Sequence, residues 1–436
     1  MLTKSFGGTL AVYLNARRVG TLEQASTGAI SFSYSAEWLN WRHAIAVSRT
    51  LPLNDTIYRG AVVFNVFDNL LPDMDRVRLN LAARLRANGK DPFSLLAVAG
   101  RDCVGALQFL PLDEEPGLAG ASDGEPLNEA DIAALTRNLR LEPLGLANDD
   151  SDFRISIAGA QDKTALLYGP SGWMKPVGTT ATTHILKPAI GLLDNGMDMS
   201  DSVANEHICM SICTALGLPV AKTQILNFED QTVLSVERFD RIWTDDGRLL
   251  RIPQEDFCQT LSIPSALKYQ RDGGPGVLDI LGVLRESDTP DHDRATFLKT
   301  QMIFWLLGAG DGHAKNYSIH LREGGRFNLT PLYDILSIQP LIDKGQISKN
   351  RSKVSMSLGD GWHYRFDIIA RRHFEETAKA AGLSLNVVAQ MVGELIDHVG
   401  PALDATRASL DDNIPSQLFE SIAQGMVSRL EILKLA

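Results

Sequence analysis

Apolar and polar residues alternate near the start of the chain and give way to helical spacing in its second half. Leu10-Ala11-Val12-Tyr13-Leu14 and Arg18-Val19-Gly20-Thr21-Leu22 read as a hairpin around Asn15-Ala16, and Ile30-Ser31-Phe32-Ser33-Tyr34 alternates again. Val77, Leu79, Leu81, Ala82 and Leu85 predict a helix over 74–88 stopped by Gly89, with Phe64, Phe67, Leu70 and Leu71 as core before it. Pro111 to Pro126 is charged, glycine-containing and bounded by prolines, which marks a linker; a helix near Glu129–Leu139 and an acidic loop, Asn148–Asp152, follow. Strand-like residues flank a glycine turn at Gly159. His184–Pro188, Lys222–Leu226 and Thr232–Val236 read as further strands. Asp201-Ser202 can cap a helix running to Leu216, with Gly217 at its end. Beyond Gln254 the spacing predicts helices over 255–261, 278–284, 295–307, 372–381, 384–398 and 417–433.

A chain of 436 residues is long enough for two or three domains. Hydrophobic residues at 44% and charged residues at 22% fit a soluble globular protein. No stretch is apolar enough to cross a membrane, and the first residues lack a signal-peptide core. The four cysteines form no Cys-x-x-Cys pair; Cys209 and Cys213 share a helix face as core, and a reducing cytoplasm is expected. The net charge of −11 argues against unaided DNA binding and suits a basic partner.

The candidate chemistry centres on Gly308-Ala309-Gly310-Asp311-Gly312-His313-Ala314-Lys315-Asn316. An apolar run, Met302–Leu307, leads into it, and Pro331-Leu332-Tyr333-Asp334-Ile335 follows. Phosphoryl transfer needs a carboxylate for the attacking hydroxyl, and an amide oxygen with a second carboxylate to hold Mg²⁺. Asp311, Asn316 five positions on, and Asp334 supply this set at the spacing of the kinase H-R-D-x-x-x-x-N loop, with Ala309-Gly310 where His-Arg would stand and Tyr-Asp-Ile in place of Asp-Phe-Gly. The plainer reading makes Asp311 and Asn316 turn-formers. Lys187 can reach phosphates or be a solvated edge-strand lysine. Glu206 can pair with Lys187 or be a surface residue. Glu237-Arg238-Phe239-Asp240-Arg241 leaves a strand where hinge backbone would meet adenine, Asp240 suiting the ribose, or is simply a charged strand end. The turn before Lys163 is not a Walker A loop, because Asp162 occupies the place of its last glycine.

The order of these parts, and their wording, resembles the HipA toxins, the kinase halves of bacterial HipBA toxin–antitoxin systems. Ser156–Ala165, Val236–Arg241, Pro253-Gln254-Glu255-Asp256, Asp272–Gly276 and Asp311–Asn316 carry the resemblance. It implies an α+β, two-lobed, protein-kinase-like fold: an N-terminal α/β module over 1–110, a linker and helix over 111–150, the nucleotide-binding part of a β-rich lobe over 151–239 and a helical lobe over 240–436. It implies ATP and Mg²⁺ as cofactors and Asp311 as the catalytic base. The implied ATP contacts are Ala158, Gly159, Ala160, Gln161, Asp162, Lys163, Lys187, Glu237, Arg238, Phe239, His313, Lys315, Asn316 and Tyr333, with Asn316 and Asp334 on the metal. Autophosphorylation is implied at Ser156, glutamyl-tRNA synthetase as the substrate, and translational arrest and persistence as the outcome. The implied partner is a basic helix-turn-helix antitoxin like HipB, which carries the complex to operator DNA for autorepression. A basic face at Arg371, Arg372 and Lys379 is a solvated face or offers two of these residues to DNA phosphate in a ternary complex. A small-molecule phosphotransferase and a non-catalytic partner of a DNA-binding repressor are the alternatives.

Overall fold

The structure is a computed structural model and describes residues 8–139 and 161–435. Two compact units form. The first takes in the N-terminal residues up to Pro188, together with 226–266 and 319–327; the second takes in 189–225, 267–318 and 328 onward.

In the first unit, β1 (Gly8–Leu14), β2 (Arg17–Gln24), β3 (Ile30–Tyr34), β4 (Tyr58–Arg59) and β5 (Leu107–Pro111) form an antiparallel sheet in the order β4-β3-β2-β1-β5. The expected hairpin is present. Asn15 and Ala16 both have positive φ, 45° and 64°, as the tight turn whose twist matches two paired strands requires. Helices α1 (Ala36–Leu39), α2 (Ala61–Asp68), α3 (Asp75–Arg84) and α4 (Pro92–Ala99) accompany the sheet. Two sequence expectations fail here. The third helix stops at Arg84, five residues before Gly89, because Arg86 turns left-handed at φ 55°. Phe64, expected as core, is 41% exposed, and Leu79, part of the spacing that predicted the helix, is 53% exposed, so the apolar spacing overstated the buried face.

A second sheet of six strands has the order β12-β13-β9-β7-β8-β6. Its members are β6 (Gly124–Pro126), β7 (Thr164–Gly169), β8 (Gly172–Pro176), β9 (His184–Pro188), β12 (Thr223–Phe228) and β13 (Gln231–Glu237), while β10 (Gly191–Leu192) and β11 (Asp198–Met199) pair only with each other. The stretch read as a linker therefore ends in a strand of this sheet, and α5 (Glu129–Asn138) follows it with Asn128 and Asp131 as a capping box. One hydrophobic core serves both sheets. Leu10, Val12, Phe32, Phe67 and Phe109 from the N-terminal module cluster with Ala165, Leu166, Leu186, Phe228 and Val233. Module and sheet thus bury their apolar faces against each other, which is how layered domains hold together.

The second unit is mostly helical: α6 (Ser202–Ala215), α8 (Val277–Val283), α9 (Pro290–Leu307), α10 (Gln339–Asp343), α11 (Arg371–Ala380), α12 (Leu385–Ser409) and α13 (Ser416–Lys434), with α7 (Phe257–Thr260) in the first unit. Asp201 precedes α6 but makes no side-chain cap; its carboxylate pairs with Lys344 at 2.9 Å instead. Cys209 and Cys213 are buried on α6, Cys103 and Cys258 are buried in the first unit, and all four thiols are free. Among the described residues no helix is long and apolar enough to cross a membrane.

Candidate active site

The site is built from the end of α9. Phe297, Leu298, Met302, Ile303, Trp305, Leu306 and Leu307 are fully buried, so this helix is held rigidly. It ends at Gly308 in the left-handed region (φ 71°, ψ 31°), and the Ala309 N–H returns to Phe304 O at 2.8 Å. The last carbonyls have partners too: Leu306 O accepts from Arg429 Nε at 2.8 Å, Leu307 O from Ser337 Oγ at 2.5 Å and Gly308 O from the Ile338 N–H at 2.9 Å.

The loop that follows has little freedom. The Asp311 carbonyl accepts from the His313 N–H and from Asn316 Nδ2, both at 2.8 Å. A Cβ at Gly312 would lie 2.8 Å from the Phe304 ring and from the Tyr317 hydroxyl, so only glycine fits. Tyr333 Oη donates to Lys315 O at 2.9 Å and meets Ser318 Oγ at 2.5 Å, tying the loop to the segment that carries Asp334. Asp334 itself is left-handed at φ 62°, a conformation that costs a non-glycine residue ~1–3 kcal/mol and persists where the surroundings enforce it.

Asp311 is open to solvent, unlike the buried His313, Lys315 and Asn316. Its Oδ1 accepts from Tyr269 Oη at 2.7 Å, and the Tyr269 ring meets the His313 ring edge-on at 4.8 Å. The protein packed around it raises the Asp311 carboxyl above its ordinary range; the Asp334 charge adds to the effect, and the Tyr269 hydroxyl, Lys268 and Arg271 oppose it. Asn316 uses Nδ2 on the loop, which leaves its Oδ1 for a cation. Among the described residues no group of three or more His, Cys, Asp or Glu is arranged to hold a metal by itself. An amide oxygen with one or two carboxylates fits Mg²⁺, which takes its other ligands from phosphate and water.

The remaining site residues lie in the first unit, except Glu206, which is in the second. Lys187 is on β9, between β13 and β7, opposite Leu234, and only 6% exposed; the solvated edge-strand reading fails. Glu206 is buried on α6, not a surface residue. Gln161 Nε2 donates to Pro188 O at 3.1 Å, and Asp162 and Lys163 lead directly into β7. Ser156, Ala158, Gly159 and Ala160 lie outside the described residues. Glu237 ends β13 and is exposed, Phe239 is half-buried, and Arg238 and Asp240 between and beyond them are buried.

Arg238 and Asp240 are corrections. The Arg238 N–H donates to Thr183 O at 2.8 Å, its carbonyl accepts from the Arg241 N–H, and its guanidinium is spent on Asp102, Asp240, Thr182 and Cys103 O. It braces the end of β13 from within, with its side chain and its backbone N–H and C=O all engaged inside the protein. The Asp240 carboxylate accepts from Arg238 and from the Gly105 N–H at 2.7 Å, so it is not a ribose ligand. Tyr269 and Asp102 were not singled out from the sequence. Tyr269 stands three residues before the Asp272–Gly276 loop, which offered the only hint; Asp102 carried none.

Fold and site together define a two-lobed, kinase-like α+β protein. A model of the HipA-like C-terminal domain matches residues 155–403 and one of the HipA N-terminal domain matches residues 10–110. Y4mE of Sinorhizobium fredii, which carries a provisional name as a kinase, is 33% identical over 98% of this chain and 99% of its own. The serine/threonine-protein kinase toxin HipA of Shewanella oneidensis is 27% identical over 76% of this chain and 75% of its own. A solved structure of HipA with HipB and operator DNA, from the same species, shares the fold with a TM-score of 0.79, at 22% identity, over 97% of both chains. The chain belongs to the HipA family.

Proposed function

We propose that this chain is an ATP-dependent serine/threonine protein kinase and the toxin of a bacterial toxin–antitoxin pair. The observation that carries the reading is Asp311: a solvent-open carboxylate with raised proton affinity, on a loop braced by α9 and Tyr333, close enough to Asp334 to feel its charge. Asp311 orients the acceptor hydroxyl and takes its proton, work for which a carboxyl shifted toward neutral pH is better suited than an ordinary one. Asn316 Oδ1 and Asp334 hold the cation. When bound, Mg²⁺-ATP supplies the phosphoryl group and neutralises charge on it. Lys187, fixed mid-sheet, takes the α- and β-phosphates, and Ala158, Gly159, Ala160, Gln161, Asp162 and Lys163 are further ATP contacts. Glu237 and Phe239 meet adenine through backbone groups, and His313, Lys315 and Tyr333 complete the nucleotide site.

Glutamyl-tRNA synthetase is the proposed acceptor, with arrested translation and persistence in the bacterial cytoplasm as the result. Autophosphorylation of Ser156 adds about −1.5 to −2 charge beside the triphosphate and so switches ATP binding off. A HipB-like antitoxin, and operator DNA reached through it, are the proposed partners; the name of the Shewanella relative and its complex with HipB and operator DNA support this. Arg372 and Lys379 on α11 are exposed and suit a phosphate contact in that complex, whereas Arg371 is engaged with Glu375 at 2.7 Å. The isolated chain, at −11, is expected not to retard operator DNA at physiological salt.

Incubation with γ-labelled ATP, Mg²⁺ and a bacterial lysate tests the reading. Label is expected on one protein acceptor and on Ser156. Label confined to small molecules would replace the protein-kinase assignment.

A further inference from the structure

We propose that Asp102, in the N-terminal module, is a positioning residue for the nucleotide: through Arg238, Arg241, Arg251 and Asp240 it clamps the backbone of residues 237–239 that would face the adenine. The inference rests on the kinase reading above and gives the N-terminal module a role in it.

Asp102 is at the centre of a wholly buried ion cluster. Its Oδ2 accepts from the Thr182 N–H at 3.0 Å, Thr182 Oγ1 at 2.8 Å and Arg238 Nη1 at 3.2 Å; its Oδ1 accepts from Arg241 Nη2 and Arg251 Nε, both at 2.9 Å. The arginines carry these bonds onward into backbone. Arg238 Nη2 reaches Cys103 O at 2.9 Å. Arg241 reaches Gly105 O and Asp240 O at 2.8 Å and Thr182 O at 3.1 Å. Arg251 Nη2 reaches Thr179 O at 2.8 Å. Asp240 closes the ring through Arg238 and the Gly105 N–H. The cluster therefore ties three backbone segments, 102–105, 179–183 and 238–241, to one carboxylate.

The placement of the tied segment is what turns packing into positioning. Burial alternates along it: Arg238 and Asp240 point into the cluster, Glu237 is exposed and Phe239 half-buried. Away from the cluster, the Phe239 ring meets the His320 ring edge-on at 5.8 Å, and it is the backbone of Glu237 and Phe239 that the kinase reading gives to the adenine. Three arginines against two aspartates leave the buried set one positive charge in excess, so each carboxylate is indispensable to it; removing one partner from such a set strands the others uncompensated. Surface residues would hold the segment far less firmly, because exposed ion pairs are worth little. No residue of the cluster needs to touch the nucleotide. Its effect on affinity runs through the hinge backbone, whose N–H and C=O groups distinguish an adenine edge from a guanine edge only while their spacing is fixed.

The test is calorimetric titration of the full-length protein with Mg-ATP and Mg-GTP, reading Kd and stoichiometry separately. Asp102→Asn keeps the shape and removes the charge. It is expected to weaken ATP binding by about tenfold, the loss of roughly one hydrogen bond, and to erode the preference for ATP over GTP at unchanged stoichiometry. Asp102→Asn combined with Arg251→Gln restores the original charge excess and is expected to recover most of the affinity. A purely structural role predicts the opposite split: fewer competent molecules, with Kd and the ATP:GTP ratio of those that remain unchanged. That result overturns the proposal. Should Asp102→Asn fail to fold, Arg251→Gln alone leaves two arginines against two aspartates; unchanged Kd and selectivity in it overturn the proposal equally. Absence of nucleotide binding in the unmodified protein would instead refute the kinase reading itself, before any variant is compared.

Discussion

Asp102 and Asp311 each anchor a group of polar side chains, one in each unit, and the two are built in opposite ways. Asp102 has every lone pair occupied and three guanidiniums around it. Burial works to raise its carboxyl, but Arg241, Arg251 and Arg238 together outweigh that and hold it well below the usual carboxylate range. Asp311 has one hydroxyl on it, faces solvent, and is shifted upward, chiefly because the protein packed around it thins its hydration, with the Asp334 charge a further cause. A carboxylate whose bonds are all satisfied inside the protein is a structural tie. One held on a rigid loop with an oxygen to spare and a proton affinity pushed up is equipped for chemistry. The loop around Asp311 is nevertheless as firmly fixed as the cluster around Asp102, because its backbone rather than its carboxylate takes the hydrogen bonds.

The sharpest break between the two is stability. Asp102→Ala leaves three buried arginines with one carboxylate and is expected to cost ~3–5 kcal/mol, as loss of one partner of a buried ion pair does. Denaturant titration measures it; a cost near that of a surface substitution would mean the cluster is not the tie it is described as here.

A third acid, buried like Asp102, extends the comparison. Glu255 accepts the Arg49 N–H at 3.0 Å on Oε1 and is buried, and among the described residues no cation contributes to its shift. Burial raises its carboxyl to about 7, against the nearby Ser48 and Thr260 hydroxyls and the Arg49 N–H. The signs are opposite. Asp102, depressed in the fold, contributes stability that is present above the unfolded carboxylate value near ~4 and is lost as pH falls through its folded value. Glu255, raised in the fold, makes the protein less stable as pH rises from ~4 through about 7, with no further change above. Glu255→Gln should therefore gain stability relative to the unmodified protein at pH 8 by up to a few kcal/mol, on the order of the shift, and not at pH 4. An equal gain or loss at both pH values would assign the effect to packing.

Smaller effects separate the loop from the surface. Gly312→Ala sets a methyl against Phe304 and Tyr317 and is expected to cost ~1–3 kcal/mol, as overpacking does, with loss of activity beyond the loss of folded protein. Phe64→Gln, at a residue the chain leaves exposed, should lie within about 0.5 kcal/mol of the unmodified protein. A large loss there would show that the exposed ring packs against something.

The sequence made local devices legible and long-range ones not. The Asn15-Ala16 hairpin, the helix end at Gly308 and the Asp311, Asn316, Asp334 spacing depend on residues close together in the chain, and each could be read from residue types alone. Arg238 and Asp240 were misread because their partners are 136 and 135 residues away, at Asp102 and Gly105. No period or motif in one sequence announces such a meeting. The same holds for the shared core of the N-terminal module and the six-stranded sheet. It also holds for Tyr269, which lies 42 positions before Asp311. Phe64 and Leu79 failed for a different reason: apolar spacing says which face a helix could bury, and tertiary packing decides how much of that face it does.

Phosphoryl transfer by Asp311→Asn, set beside its ATP affinity, tests the central claim most directly. The substitution keeps the shape of the loop and an acceptor for Tyr269 Oη while removing the base. Transfer of label from ATP to protein should fall ~10²–10⁴-fold, with ATP binding within a few-fold of the unmodified protein. Near-normal transfer by Asp311→Asn would contradict the account.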